Sequence, residues 1–433
     1  MFHRHSRGNS CGMNARVPLP LAGGAGGGQV NQQHHPIGSI ILSVRAGMTS
    51  PEGNLIRCLR SGPASGRGTQ ASLRQRLVFL ISICFFLSFT SVVQAAPPSG
   101  SFFPILPFDA APDAKPSLLP IASNHPLDAD HTGLTRAIIV IHDFSRDAGR
   151  ALATMTALAG DENSATMIMA PQFLLDSDIT RFADNLPDKG RDFARWSIGG
   201  WGSGADSLPA PPQKSISSFT ALDLMLLYLA DHASFPDMKE ITVIGHGEGG
   251  DFVQRYTATG QAPDLLAQQK LPVHFVVADA SSYLYLNTIR PREKRQGFSP
   301  PDEAACKDYN IWPYGLDGLN AYAKRAGMNA IKTRFAMRQV AYLVGADAGK
   351  NDPAPDTGCA ALFQGVDRPT RAVNYVTYTG LLFGEAAAKR QDLTVVPGVG
   401  YDADALYSST CGMTLLFGDG DCTPPTLKST ENP

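Results

Sequence analysis

Six short, mostly β-branched runs are spaced along the second two-thirds of the chain: Ala137–Ile141 (AIIVI), Thr166–Ala170 (TMIMA), Ile241–Ile244 (ITVI), Val273–Ala278 (VHFVVA), Val340–Val344 (VAYLV) and Leu393–Val396 (LTVV). Each is nearly continuous rather than alternating, which is the pattern of strands buried on both faces. Helical periods lie between them. Ser218 is placed to cap a helix whose Phe219, Leu222, Met225, Leu226 and Leu229 fall on one stripe. Strand and helix in alternation predict an α/β fold, a mostly parallel central sheet with helices on both faces. The stretches 196–212 and 287–325 read as inserted loops.

The pattern changes towards the N-terminus. Leu73-Arg74-Gln75-Arg76 precedes Leu77–Val93, a 17-residue run without charge, and Val93-Gln94-Ala95-Ala96 and two prolines follow. A basic start, an apolar middle and a small-residue exit describe a secretory signal peptide over 73–96. Left uncleaved, 77–93 would anchor the chain in a membrane, because 17 residues reach the lower limit for a spanning helix. Residues 1–72 have no sustained apolar period and read as a disordered or mis-called extension. Residues 97–126 carry eight prolines and predict an extended, irregular arm. The expected organisation is therefore 1–72, 73–96, an arm over 97–130 and one large domain over 131–433.

Charge follows the same cut. The formal balance of −2 joins nine Arg and a single acid in 1–95 to 28 basic and 38 acidic residues in 96–433. A mildly acidic domain has no electrostatic reason to seek nucleic acid or an anionic membrane. Four of the seven cysteines, Cys306, Cys359, Cys411 and Cys422, fall in that domain. An even number on the exported side predicts two disulfides, and of three possible pairings Cys306–Cys359 with Cys411–Cys422 is expected. No CxxC is present, so zinc is not expected. The predicted location is periplasmic or secreted.

The chemistry concentrates in Ile241–Tyr256 (ITVIGHGEGGDFVQRY), a strand running through a glycine-rich turn into a helix. Gly245-x-Gly247-x-x-Gly250 satisfies the dinucleotide fingerprint, but its ribose-binding acid should follow about 20 residues on. The candidate Asp279 comes 29 residues after Gly250. The same turn fits the nucleophile elbow, G-x-S-x-G, as Gly245-His246-Gly247-Glu248-Gly249. The frame is intact and the serine is absent.

Around this turn, IVIHDFSRD (139–147), SISSFTALD (215–223), DASSYLYL (279–286), AYLVGAD (341–347), QGVDR (364–368) and VPGVGYDA (396–403) resemble, in order, the blocks of a branch of secreted α/β-hydrolases. The resemblance covers roughly 136–418 and implies the α/β-hydrolase fold. It places Gly247 at the nucleophile, Asp347 (alternatively Asp352) at the acid and Tyr401 at the histidine. It places His142, Asp143 and Phe144 in the oxyanion loop, where Asp143 replaces a glycine and sets a carboxylate beside the expected oxyanion. With His246 and Glu248 these form the expected binding residues.

No serine alkoxide can form at Gly247, and a tyrosine, with a pKa near 10, is a poor base at neutral pH. The expectation is a catalytically degenerate hydrolase homologue with a pocket over Gly247 for a small ester or acyl ligand, and no cofactor. The alternatives are an active carboxylic-ester hydrolase using other groups, a dinucleotide binder, and a structural or partner-binding domain. His142 and His246, with Asp143 and Glu248, offer the ligands of a metal site, but two structural histidines are the expected reading. Ser281 and Ser282 are read as turn residues rather than substitute nucleophiles, and Arg146 with Asp147 as a loop-fixing ion pair. Trp196 and Trp201 are either ligand-stacking groups or loop anchors.

Overall fold

The computed structural model describes residues 96–98, 100–292, 297–420 and 422. The extension 1–72 and nearly all of the signal segment 73–96 lie outside the described residues.

All six predicted runs are strands of one eight-stranded sheet. In chain order its members are β1 (Ser101–Ile105), β2 (Ser117–Ser123), β3 (Arg136–Ile141), β4 (Thr166–Pro171), β5 (Glu240–His246), β6 (Val273–Ala278), β9 (Val340–Gly345) and β10 (Gln391–Val396). The pairs Arg290–Pro291 (β7) and Phe298–Ser299 (β8) form a separate small hairpin. The sheet order is β1-β2-β4-β3-β5-β6-β9-β10. The β1–β2 and β2–β4 pairs are antiparallel, and every other pair is parallel. A largely parallel sheet with an elbow strand at its centre is the α/β-hydrolase fold that the resemblance implied.

The continuous apolar runs are explained by two cores, one on each side of the sheet. Ile139 and Ile141 of β3 with Val243 of β5 face α2 (Ser218–Leu229), α3 (Glu248–Thr259) and α4 (Arg368–Phe383). Ile138 and Val140, with Ile244 of β5 and Leu343 of β9, face α1 (Ala148–Ala159), α5 (Ala403–Ser408) and α6 (Thr410–Phe417). Adjacent residues on a strand point to opposite faces, so both faces being covered requires both sets to be apolar.

Two expectations need correction. The proline-rich stretch is not an irregular arm, since it supplies β1 and β2. Phe103, Ile105, Leu119 and Ile121 are at most 1% exposed. Pro104 is tolerated because β1 is an edge strand, while the Pro120 carbonyl still accepts a hydrogen bond from the Gln172 N–H at 2.8 Å. The helix α2 is capped by Ser217, whose hydroxyl accepts from the Phe219 N–H at 3.1 Å, rather than by Ser218. All twelve of its residues are buried, because α2 is packed on every side and not along one stripe. Both expected disulfides are formed, Cys306–Cys359 and Cys411–Cys422.

Candidate functional site: a filled elbow

The strand β5 ends at His246, and Gly247 turns the chain into α3 with φ 59° and ψ −119°. That conformation strains any residue with a Cβ, which makes glycine the natural occupant. The turn is also tight, because a Cβ on Gly249 would collide with the backbone carbonyls of Ile141 and His142. The glycines thus let α3 dock against the end of β3. A Cβ built on Gly247 would strike the Tyr401 hydroxyl and the Asp143 carboxylate. Among the described residues, Asp143 and Tyr401 fill the space directly over Gly247.

Asp143 fills it in a specific way. Its Oδ1 accepts the Phe144 N–H at 2.6 Å and the Glu248 N–H at 3.0 Å. Its Oδ2 accepts the Tyr401 hydroxyl at 2.5 Å and lies 3.6 Å from His246 Nδ1. In an elbow, the N–H after the nucleophile and one from the β3 loop are the donors that receive an oxyanion. Here both hold a carboxylate of the same chain. The sequence expectation sets Asp143 beside the oxyanion; in the structure its Oδ1 accepts from both of these N–H groups.

Behind Asp143 the polar groups continue inward. His246 Nε2 lies 3.3 Å from Oδ2 of Asp279, a residue with no solvent exposure. Asp279 Oδ1 accepts the Gly345 N–H at 2.9 Å. Burial alone would lower the His246 pKa, but the flanking Asp143 and Asp279 carboxylates outweigh it and raise it to about 9. His246 is therefore an imidazolium at neutral pH. Burial would raise the pKa of Asp143, and His246, Tyr401 and the Glu248 N–H overcome that and lower it. Tyr401 is pushed far up by burial first and then by Asp143, so its hydroxyl stays protonated and donates.

The other predicted residues separate into those that join this cluster and those that do not. Glu248 sits at the first position of α3, where burial and then Asp251 and Asp143 raise its pKa to about 7. His142 is structural in its contacts: Nδ1 donates to the Asp143 carbonyl at 2.9 Å, and Nε2 accepts from the Phe173 N–H at 3.0 Å. With both ring nitrogens engaged and burial lowering its pKa to about 4, it is neutral. Among the described residues no group of three or more His, Cys, Asp or Glu could hold a metal ion.

Asp347 faces away, paired with Lys350 at 2.6 Å on the surface. Asp352 reaches the site through Arg368. It accepts from Arg368 Nε at 2.6 Å and Nη2 at 3.0 Å, and the guanidinium carbon lies 4.4 Å from the centre of the Tyr401 ring. Arg368 also donates to the Asp279 carbonyl at 2.6 Å. Arg368 is a cluster member that sequence reasoning did not assign, and Asp279 is one that it considered only as the ribose-binding acid of a dinucleotide site. Their signal was position: Asp279 opens the block DASSYLYL directly after β6, and Arg368 closes the block QGVDR.

Three remaining expectations resolve in the contacts. Arg146 pairs with Asp178 at 2.9 and 3.1 Å, not with Asp147, which instead caps α1 by accepting the Arg150 N–H. Arg146 makes this pair from a left-handed backbone conformation, with φ 51°. Ser281 donates to Asp251, and Ser282 accepts from Arg255 at 2.9 Å, so both serines fix a turn. Trp196 and Trp201 are at most 1% exposed. Trp201 stacks on Phe173 with centroids 5.6 Å apart, as a loop anchor does.

Beside the filled elbow lies a cavity of about 430 Å³, bounded by Asp143, His246 and Tyr401 on one side and by residues of α1 and α5 on the other. Its volume lies within the range of small-molecule sites, about 300–1,000 Å³.

No family model matches the chain, and no curated protein matches it. Among solved structures it is similar to poly(aspartic acid) hydrolase-1 from Sphingomonas sp. KT-1, at 19% identity over 74% of this chain and 99% of that one, with a TM-score of 0.47. It is similar to LpqC, a poly(3-hydroxybutyrate) depolymerase from Bordetella parapertussis, at 20% identity over 74% and 90%, with a TM-score of 0.46. A third likeness is to the siderophore hydrolase EstA from Aspergillus nidulans, at 12% identity over 75% and 93%, with a TM-score of 0.35. The fold assignment rests on the strand order and directions above.

Proposed function

We propose that this α/β-hydrolase-fold protein is exported and binds a small ester or acyl ligand without hydrolysing it. The observation that carries the reading is Asp143 Oδ1 on the Phe144 and Glu248 N–H groups, above a glycine that carries no nucleophile. A tetrahedral intermediate would have to displace a charged, hydrogen-bonded carboxylate from those donors, which opposes rather than stabilises the negative charge. Tyr401 cannot supply the missing base, because burial and Asp143 both favour its protonated form. Nor does the geometry favour a dinucleotide: Asp279, the acid that would hold a ribose, is buried against His246 and Gly345.

Export is supported by the signal-like segment 73–96 together with the two disulfides, a pairing typical of oxidising compartments. Among the described residues no helix is long and apolar enough to cross a membrane. The segment 77–93, which would decide anchoring, lies outside them.

The test is hydrolysis of short nitrophenyl esters. Wild type should match the buffer background. Gly247→Ser with Tyr401→His should remain inactive, because the Asp143 carboxylate still occupies the donors. Turnover should appear only when Asp143→Gly is added to that pair. Wild-type turnover that disappears in Tyr401→Phe or Asp143→Asn would overturn the reading.

A further inference from the structure

We infer that β10, the last strand of the sheet, is the joint of a symmetric homodimer, in which a second copy of this chain pairs antiparallel along its open edge. The inference goes beyond the binding reading above and does not rest on it.

The two edges of the sheet differ. At one edge β1 carries Pro104, and a proline blunts an edge because it offers no N–H to a further strand. At the other edge β10 reads QDLTVV, with neither proline nor lysine, and pairs with β9 alone. The Val340 N–H donates to the Arg390 carbonyl at 2.8 Å, and the Ala346 N–H to the Val396 carbonyl at 2.9 Å. Bonding residues alternate along a parallel ladder, so Asp392 and Thr394 also turn their backbone groups to β9. Gln391, Leu393 and Val395 turn theirs outward, and among the described residues nothing bonds to those groups. An open row of donors and acceptors is a template for another strand.

The sequence of β10 fits its own copy. With a two-fold axis at Leu393, Gln391 pairs with the second copy's Val395 and Leu393 with its own equivalent, giving about six hydrogen bonds. The exposed Asp392 then lies opposite the second copy's Thr394, so no like charges meet. Sliding the copies one way would set the two Asp392 carboxylates opposite each other. Sliding either way loses bonds, because the Lys389 N–H is already held by the Glu385 carbonyl and Pro397 has no N–H. Charge and bonding therefore select the same register.

A second feature flanks this edge. The helix α4 lies over β9 and β10, and its only charged residues, Arg368 and Arg371, are buried. Val373, Thr377 and Leu381, spaced four apart, share its outer side. Leu381 is 62% exposed, and the Thr377 hydroxyl is bonded to the Val373 carbonyl at 2.7 Å. A helix face open to water ordinarily carries charge. This one carries none, which suits the apolar part of an interface beside the paired strands.

The test is sedimentation velocity of the full-chain protein from about 1 to 100 µM, where a modest interface assembles; dimer should dominate at the upper end. Val395→Pro removes an outward N–H that makes no bond within one copy, so the fold should be kept, as edge positions allow. It deletes one intermolecular bond from each strand and should weaken dimerisation about tenfold. Leu381→Glu leaves the strand untouched and should weaken it about fivefold, through lost apolar contact and like charge. That second variant carries the test if the proline variant fails to fold. Hydrogen exchange of the peptide 390–397 should be slow in the wild-type dimer and fast in a folded, monomeric variant. A monomer throughout the range, or a dimer whose dissociation constant neither substitution moves, would overturn the inference. So would slow exchange of that peptide in a monomer, which would give the edge to another segment of the same chain.

Discussion

Two carboxylates, the half-buried Asp143 and the fully buried Asp223, accept similar numbers of hydrogen bonds and end in opposite states. Asp223 lies in α2 with no exposure and accepts the Tyr256 and Tyr322 hydroxyls, each at 2.6 Å, and the Ala262 and Gln261 N–H groups at 2.8 and 3.3 Å. All its donors are neutral, burial outweighs them, and its pKa is raised. Asp143 has a similar number of donors, but His246 beside it is cationic, and its pKa is lowered. A single charged neighbour separates a structural acid from one that can stand in for an oxyanion. In the first region a carboxyl ties helices together; in the second it closes a reaction centre.

The sharpest way to break this comparison is to delete each side chain. Asp223→Ala leaves the two tyrosine hydroxyls without their acceptor and the Ala262 N–H unpaired in the core, while the Gln261 N–H keeps only the Tyr322 hydroxyl at 3.1 Å. It should cost about 3–5 kcal/mol, the range for breaking a buried polar network by removing one partner. Asp143→Ala frees its donors next to a cavity of about 430 Å³, where water can replace the lost oxygens, so the loss should be nearer to about 2 kcal/mol. Urea unfolding at pH 7 measures both. A larger loss for Asp143 would mean that the elbow, not the helix junction, is the structural keystone.

Much of this contrast was legible in the chain, though unevenly. The six inner strands were readable because parallel strands covered on both faces are continuously apolar. The outer strands β1 and β2 were hidden by Pro104, which the edge strand β1 tolerates, and by Pro120 in β2, whose carbonyl still accepts the Gln172 N–H. The missing serine at Gly247 and the missing histidine at Tyr401 could be read directly from the elbow frame and the late VPGVGYDA block. The placement of Asp143 in the donor pair could not, because it depends on a rotamer and on Glu248 meeting Asp143 across 105 residues of chain. The same holds for Asp279 and Arg368: sequence order sets one after β6 and the other at the start of α4, and only packing shows that they converge on His246 and Tyr401. Asp347 was the reverse case, well placed in sequence and turned to Lys350 in space.

The charge on His246 can be tested through pH. Its folded pKa, raised to about 9, exceeds the unfolded value of about 6.5. Its contribution is therefore fully present below pH 6.5 and is lost as the pH rises through 9. Wild-type stability should fall by roughly 2–3 kcal/mol across that window, given how completely the ring is buried between its two carboxylates. His246→Gln should remove most of the slope. A wild-type curve that stays flat from pH 6.5 to 9 would mean that His246 is neutral, and the explanation for Asp143's lowered pKa would go with it.

Glu248 offers the smallest effect and a sign opposite to that of Asp143. Both carboxylates belong to the elbow, but Glu248 faces Asp251 and Asp143 with no cation bonded to it, and its pKa rises to about 7. A carboxyl with a raised folded pKa binds its proton more tightly in the folded state, so stability declines as the pH climbs from about 4.5 to 7. Its partial exposure screens the effect to about 1 kcal/mol. Glu248→Gln should abolish that decline and leave the enzyme-like elbow intact, because the bond to Asp143 comes from the backbone N–H and not from the side chain. Denaturation midpoints for both proteins at pH 5 and pH 7.5 would show it. If the variant loses stability at pH 7.5 relative to wild type, the Glu248 carboxylate is held by an attraction, and the repulsion from Asp143 is not what sets its state.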